Sequence, residues 1–255
     1  MGIEEFSISF DVRYNNISSN RAPSLNGYEK SVFLTQAQDE LMRTYFFTSG
    51  EGLKGFDGNQ KRQIDFSNLI RAGVGEFENV PPYQLFDPRA YIFKLSEEDK
   101  VMFIINEALH FINPSDESTK TIRQVIPISY DEYTRIMSKP YKEPKKDLAW
   151  RLLVDGTVHN QDESISVLKK ADIIIRNTDI LDYLPSDRQN VDDYVRYIYR
   201  YVKYPRPIIL TDLTAYGPNI KIHGEVGPSE CELDETVHEE ILQKAVELAK
   251  NAWAG

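Results

Sequence analysis

The chain has 255 residues, of which 41% are hydrophobic and 27% are charged, and its formal net charge at pH 7 is −10. This apolar fraction is ordinary for a folded protein and excludes an intrinsically disordered chain. The acidic balance argues against a general affinity for nucleic acid or anionic membranes, although solubility alone also explains it. The length allows one large domain or two small ones.

The single cysteine, Cys231, excludes a disulfide framework and a cysteine metal site within one chain. It therefore fits a reducing compartment. No apolar run approaches the ~20 residues that a membrane-spanning helix needs, and the acidic N-terminus lacks a basic-then-apolar signal. We expect no membrane partner.

Residues 4–18 leave two alternatives open. Strict alternation of apolar residues slightly favours a strand, and it involves Phe6, Ile8, Phe10, Val12 and Tyr14. A spacing of three and four residues fits one face of a helix, and it involves Phe6, Phe10, Tyr14 and Ile17.

Helical spacing of apolar residues is clearest at 28–47 and 235–255. Asn26 with Glu29, and Thr236 with Glu239, have the spacing of a capping box before these helices. Residues 62–72 predict a further helix that ends at the glycines 73 and 75.

The middle of the chain is rich in strand-forming residues. Residues 91–95 and 101–105, joined by a polar turn at 96–99, predict a hairpin. Ser129 with Glu132 predicts a capped short helix that Pro140 stops. Other strands are predicted at 121–128, 150–154, 173–175, 194–204 and 208–210.

The order of elements predicts an α+β fold, in which a helical bundle from the N- and C-terminal helices carries an inserted β-rich region. The predicted division has three parts. Residues 1–78 form the N-terminal part of a helical stalk, 79–227 the β-rich insertion, and 228–255 the C-terminal helix that completes the stalk.

No motif in the chain indicates catalysis. Gly50-x-Gly52-x-x-Gly55 matches the dinucleotide fingerprint by spacing, but it follows a helix instead of a strand, so we predict a loop at 50–58. The histidines lack His-Glu-x-x-His spacing, and there is neither a phosphate-binding loop nor a Gly-x-Ser-x-Gly elbow. We predict no catalytic residue, no cofactor, no metal site and no enzymatic activity.

Residues 194–204 interleave basic and aromatic side chains. One hypothesis is contact with single-stranded nucleic acid, with stacking on tyrosines and phosphate contacts from Arg196, Arg200 and Lys203. The alternative is an ordinary strand at a subunit or sheet interface. On a strand the arginines and the tyrosines take opposite faces, as such an interface would also show.

Six stretches spanning almost the whole chain carry a family resemblance. They are YNNISSN (14–20) with AP (22–23), YEKSVFLTQAQ (28–38), IPISYDEY (126–133) with KPY (139–141), AWRL (149–152), RYVKYPRPIIL (200–210), and CEL (231–233) followed by HEEI (238–241). Together they resemble the head-to-tail adaptor, or neck ring, proteins of crAss-like short-tailed bacteriophages (podoviruses). These stretches are structural signatures, not catalytic motifs.

The resemblance implies a virion structural protein at the neck. It implies a cyclic ring of about twelve copies that docks under the portal protein and contacts other neck and tail ring proteins. It also implies paired terminal helices, which favours the helical alternative for residues 4–18. We expect assembly in the host cytoplasm and a channel through which double-stranded DNA passes during ejection without specific binding, past acidic residues.

Two alternatives to the adaptor stay open. One is another ring or tail component of the same neck, and the other is a phage nucleic-acid-binding protein that uses the strand at 196–206. A closed ring needs two different complementary patches on each subunit. The predicted interface residues are Leu248, Ala249, Trp253, Tyr197, Tyr199 and Tyr201.

Overall fold

The protein divides into two compact units, one made of residues 1–70 and 204–255 and the other of residues 71–203. The computed structural model describes residues 1–17, 24–47, 64–78, 90–96, 100–113, 116–137, 139, 148–153, 156–158, 166–168, 172–176 and 194–254. Helices and a mixed sheet are both present, so the predicted α+β class is confirmed. The predicted stalk and its three-part boundaries stay a prediction.

The longer helices are α1 (Ile3–Ile17), α2 (Gly27–Phe47), α3 (Tyr130–Met137) and α4 (His238–Ala254). In the first unit, α4 packs against α1 and α2. The apolar face of α4 is buried there, and it consists of Ile241, Leu242, Ala245, Val246 and Ala249. Polar contacts at the edges of this packing join Lys244 to Glu40 at 3.0 Å and Tyr45 to Glu240 at 3.2 Å.

Residues 3–17 form a helix, so the strand favoured by alternation is wrong and the helical alternative is confirmed. Two residues advance about 200° around a helix, so alternating residues lie on opposite sides of it. Three aromatic side chains point into the core, namely Phe6, Phe10 and Tyr14. The aliphatic residues between them, Ile8 and Val12, point outward. The alternating apolar residues of this segment therefore lie on two opposite faces of one helix, one buried and one exposed.

Two of the predicted helix caps are confirmed. The Asn26 backbone N–H donates to Glu29 Oε2 at 2.8 Å, and the Glu29 N–H donates to Asn26 Oδ1 at 2.9 Å, which is a complete capping box. The Ser129 hydroxyl accepts from the Glu132 N–H at 3.2 Å at the start of α3. Pro140 lies outside the described residues.

The predicted capping box at Thr236 and Glu239 is wrong. A 3-10 turn, Glu235–Val237, precedes α4, and Asp234 Oδ1 accepts from the Thr236 N–H at 3.0 Å. The Thr236 hydroxyl instead donates to buried Asp65 at 2.9 Å. A tertiary acceptor from another segment therefore takes the hydroxyl that local spacing assigned to the helix.

A polar stripe on α2 holds the extended segment that follows the second unit. Ser31, Thr35 and Gln38 are all buried on one side of α2. Their side chains bond the backbone at alternate residues: Leu210 N–H to Ser31 Oγ at 2.9 Å, Ile208 N–H to Thr35 Oγ1 at 3.1 Å, and Gln38 Nε2 to the Arg206 carbonyl at 2.9 Å. The strand predicted at 208–210 is reduced to a single bridge between Ile209 and Ser229.

The second unit is built around a closed barrel. Its strands are β1 (Ile70–Glu78), β2 (Ala90–Lys94), β3 (Val101–Asn113), β4 (Asp116–Pro127), β5 (Leu148–Leu153), β8 (Asp172–Arg176) and β9 (Val195–Lys203). They follow one another around the barrel in the order β1-β2-β8-β5-β4-β3-β9. The strands β6 (Gly156–Val158) and β7 (Ser166–Leu168) pair with each other separately.

The strands β4, β5, β8 and β9 confirm predictions, but two other predictions fail. The predicted hairpin is wrong because β2 pairs with β1 and β8, whereas β3 pairs with β4 and β9. The helix predicted at 62–72 is wrong after residue 65: residues 64–65 are helical, but Ser67–Leu69 is a 3-10 turn and β1 begins at Ile70.

The glycines that were expected to end a helix lie inside β1. A Cβ atom on Gly73 would come within 2.5 Å of the Tyr199 ring, and one on Gly75 within 2.6 Å of the Tyr197 ring. Glycine is required here because large rings from β9 fill the space that a side chain would take.

We expect Gly75→Ala to destabilise the barrel by about 2 kcal/mol, because the new methyl group must displace a buried ring. Urea unfolding of the whole chain followed by tyrosine fluorescence measures this. Gly227→Ala is the matched control, since nothing lies within 4 Å of its Cβ position. Equal stability of the two variants would contradict the packing argument.

Candidate subunit interface

A buried ion pair lies among the inward-facing side chains of the barrel. Arg151 Nε is 2.9 Å from Glu107 Oε1 and 2.7 Å from Glu107 Oε2, and the Tyr197 hydroxyl donates to Oε2 at 2.7 Å. Burial raises the pKa of Glu107, while the Arg151 charge opposes that shift. Burial and the nearby carboxylate both raise the pKa of Tyr197, so its hydroxyl stays a donor. The three side chains thereby link β3, β5 and β9, and each has its buried charge or hydroxyl group paired with another of the three.

The tyrosines predicted at an interface lie inside the barrel. Tyr197, Tyr199 and Tyr201 are buried, and their ring centroids follow one another at 5.5 Å and 5.4 Å. These rings are covered within the chain itself. A contact of these tyrosines with another subunit stays a prediction.

The predicted nucleic-acid residues lie on or near the outside of the same strand. Arg196 and Arg200 are exposed on β9, and Lys203 at its end is half-buried. The tyrosine rings and the arginines thus take opposite faces of β9, so these side chains do not share one surface of this strand. Contact by the three basic residues stays a prediction.

The predicted residues of the last helix are also divided. Ala249 is buried against the helices of its own unit, and Leu248 is half-buried. Trp253 lies in the last turn of α4, but its side chain is outside the described residues, as is the whole loop predicted at 50–58.

Sequence reasoning missed two exposed apolar surfaces. The first is the outer face of α1, made of Glu4, Glu5, Ile8 and Val12. Ile8 is 64% exposed and Val12 is 53% exposed, one helical turn apart, with both glutamates exposed beside them. Their alternation with the core aromatics is the available signal, although the same alternation also fits a strand.

The second surface is the outer barrel patch, made of Val74, Ile122, Arg196, Ile198 and Arg200. Val74 is 55% exposed and Ile122 is 62% exposed. On β3, His110 pairs with Arg196 on one side and Ile122 on the other, so these residues form one row across three strands. Val74 lies between Gly73 and Gly75, level with Ile198, because those glycines face Tyr199 and Tyr197.

His238 links the start of α4 to α1. Its ring nitrogens lie 3.0 Å from the Met1 amine and 3.1 Å from the Leu233 carbonyl oxygen, and its ring packs 5.1 Å from that of Phe6. Burial lowers the pKa of His238, against the hydrogen bond to Leu233, and the terminal ammonium lowers the pKa further. The neutral imidazole is therefore the form that this packing favours.

Two further kinds of site, a metal centre and a membrane span, are not found among the described residues. No three His, Cys, Asp or Glu side chains among them are grouped closely enough to hold a metal ion. Within the same residues, no helix combines the length and apolar character needed to cross a bilayer. The described surface does expose neighbouring aliphatic side chains on α1 and on the barrel, and clusters of exposed apolar groups are a feature of protein-binding surfaces.

Comparison with known proteins identifies the family to which the chain belongs. The family model described as "Phage tail ring protein 3/4" matches residues 1–254. The chain is 42% identical to "Ring protein 4/5" of Bacteroides phage crAss001 over 256 residues, which cover 100% of this chain and 94% of that protein. It is 29% identical to "Ring protein 3" of the same phage over 258 residues, covering 96% of this chain and 94% of that one.

The chain therefore belongs to the phage tail ring protein 3/4 family. The resemblance found in the sequence is confirmed at the level of a ring structural protein of crAss-like phages. Such a protein is a component of the virion.

We expect Glu107→Gln to destabilise the barrel by about 3 kcal/mol, because it leaves the Arg151 charge buried without its carboxylate. Tyr197→Phe removes only one hydrogen bond to that carboxylate and should cost about 1 kcal/mol. Urea unfolding of the two variants beside the parent measures both. A Glu107→Gln variant as stable as Tyr197→Phe would show that the ion pair contributes little.

We expect His238 to contribute less to stability as the pH falls below about 6.5, the pKa of histidine in the unfolded chain. The folded pKa is lowered, so the unfolded chain takes up the proton first and acid favours unfolding. The measurement is the difference in melting temperature between the parent and His238→Gln at several pH values from 8 to 5. This difference should shrink toward pH 5, and a constant difference would contradict the prediction.

Proposed function

We propose that this chain is a non-enzymatic structural subunit of the phage neck. In this proposal, copies close into a cyclic ring, of about twelve subunits, between the portal protein and the tail. Other neck and tail ring proteins are its further partners, the neck at the portal vertex is its location, and the host cytoplasm is where it assembles.

The observation that carries the proposal is the outer face of α1 in a chain matched to a ring family over residues 1–254. Ile8 and Val12 are exposed, whereas the aromatic side chains of the same helix, Phe6, Phe10 and Tyr14, are buried in the core. An aliphatic face that the described residues leave uncovered is typical of a surface that another protein covers.

The absence of catalysis is part of the proposal. The buried charges of the barrel, Glu107 and Arg151, bond each other and Tyr197. A buried pair of this kind joins strands, and it leaves no activated group directed at a substrate. This arrangement supports a structural role for the barrel.

A DNA channel through the ring is consistent with the charge of the chain. The net charge of −10 would be repeated in every subunit, so a ring carries a large negative charge. Carboxylates facing the lumen would repel DNA phosphates and keep the duplex from adhering as it passes.

The test is a cryo-electron microscopy map of the neck of intact particles. We expect identical copies of this chain to form one closed ring that touches the portal protein. A ring lower in the tail would favour the alternative of another neck or tail component. Particles without the chain in any ring would overturn the proposal.

A further inference from the structure

The outer face of α1 combines apolar and acidic groups. Ile8 and Val12 form its centre, and Glu4 lies one turn before Ile8, beside Glu5. On the opposite side of the helix, Phe6 packs against the His238 ring, so α1 is fixed in its rotation about its own axis. The helix cannot turn Ile8 and Val12 inward without exposing its aromatic residues.

The outer barrel patch combines aliphatic groups with two arginines, and exposed Glu76, which pairs with Lys94 of β2, lies at its border on β1. Ile122 and Arg196 lie on either side of β3, and Ile198 pairs with Ala108 on that strand. Neighbouring strands are about 4.8 Å apart, so Ile122 and Arg196 are about 10 Å apart on one surface. Arg200 extends the patch along β9, and exposed Val74 borders it on β1.

The two surfaces match each other in charge and in apolar character. A contact between two copies through the same outer face of α1 would bring Glu4 and Glu5 of both chains together, and like charges at an interface repel. The outer barrel patch would likewise oppose arginine to arginine. Only a contact between the two different surfaces pairs glutamate with arginine and aliphatic with aliphatic residues.

We propose that the outer face of α1 in one copy packs on the outer barrel patch of the next copy. Because the two surfaces differ, the contact is head-to-tail and propagates around a ring until rotation closes it. This inference rests on the proposed ring and names its repeating contact. It also assigns Arg196 and Arg200 to a protein partner and not to nucleic acid.

The first test reverses the charges in particles where the variant is the only copy of the chain. One variant carries Glu4→Lys with Glu5→Lys, a second carries Arg196→Glu with Arg200→Glu, and a third carries all four changes. We expect each pair to lower the number of copies per particle about tenfold, and the combination to restore it to within about twofold of the parent.

Glu247→Lys, on the exposed side of α4, is the charge control and should leave the copy number unchanged. Melting curves of the purified variants show whether each one folds. The proposal is overturned if both reversed pairs keep the parental copy number, or if two well-folded reversed pairs are not rescued by their combination.

The second test is crosslinking, which depends less on the stability of the variants. Particles carrying Ile8→Cys with Ile198→Cys are treated with a short bis-maleimide and analysed on a denaturing gel. We expect a ladder of covalent oligomers, because each chain can join two neighbours. Cys231 does not compete, since burial raises the pKa of its thiol to about 11.

Each single-cysteine variant, and Ile8→Cys paired with Asn251→Cys on α4, should give no ladder. Monomers alone from particles that contain the Ile8→Cys and Ile198→Cys chain would overturn this contact while leaving the ring itself intact. Absence of the parent chain from purified particles would instead overturn the proposed function.

Discussion

The structure depends on how the chain returns to its helices after the barrel. Three buried side chains of α2, Ser31, Thr35 and Gln38, take the backbone groups of residues 206–210 that a neighbouring strand would otherwise bond. The geometry allows this because one turn of helix rises about 5.4 Å and two extended residues span about 6.6 Å. The returning segment is thereby held against α2, which brings α4 onto α1 and α2.

The barrel is held by a different combination of forces. Large tyrosine rings from β9 fill its interior, and glycines on β1 leave the room that those rings need. Glu107, Arg151 and Tyr197 then join three strands through one buried network. Because the tyrosine rings of β9 point into the barrel, the arginine and aliphatic residues that alternate with them lie on its outer face.

Both units bury most of their large apolar side chains in their own cores and expose some aliphatic groups to the outside. Ile8 and Val12 on α1, and Val74 and Ile122 on the barrel, contribute little to the core of the chain. A subunit that must fold first and assemble later needs surfaces of this kind, moderate in size and bordered by charge. In the proposed contact, the acidic and basic borders favour association of unlike surfaces over like ones.

Local signals in the sequence determined the α+β class, α2 and its Asn26 cap, α4, most of the strands and the family. Only the tertiary structure decided which side of each helix or strand is buried. The alternation at Phe6 to Tyr14 describes a strand or a two-faced helix equally well, and packing against α4 selects the helix. Gly73 and Gly75 end a helix by local rules, yet they belong to β1 because Tyr197 and Tyr199, more than 100 residues later, need their space. Spacing along a chain records local geometry, whereas partners distant in sequence decide which side is covered.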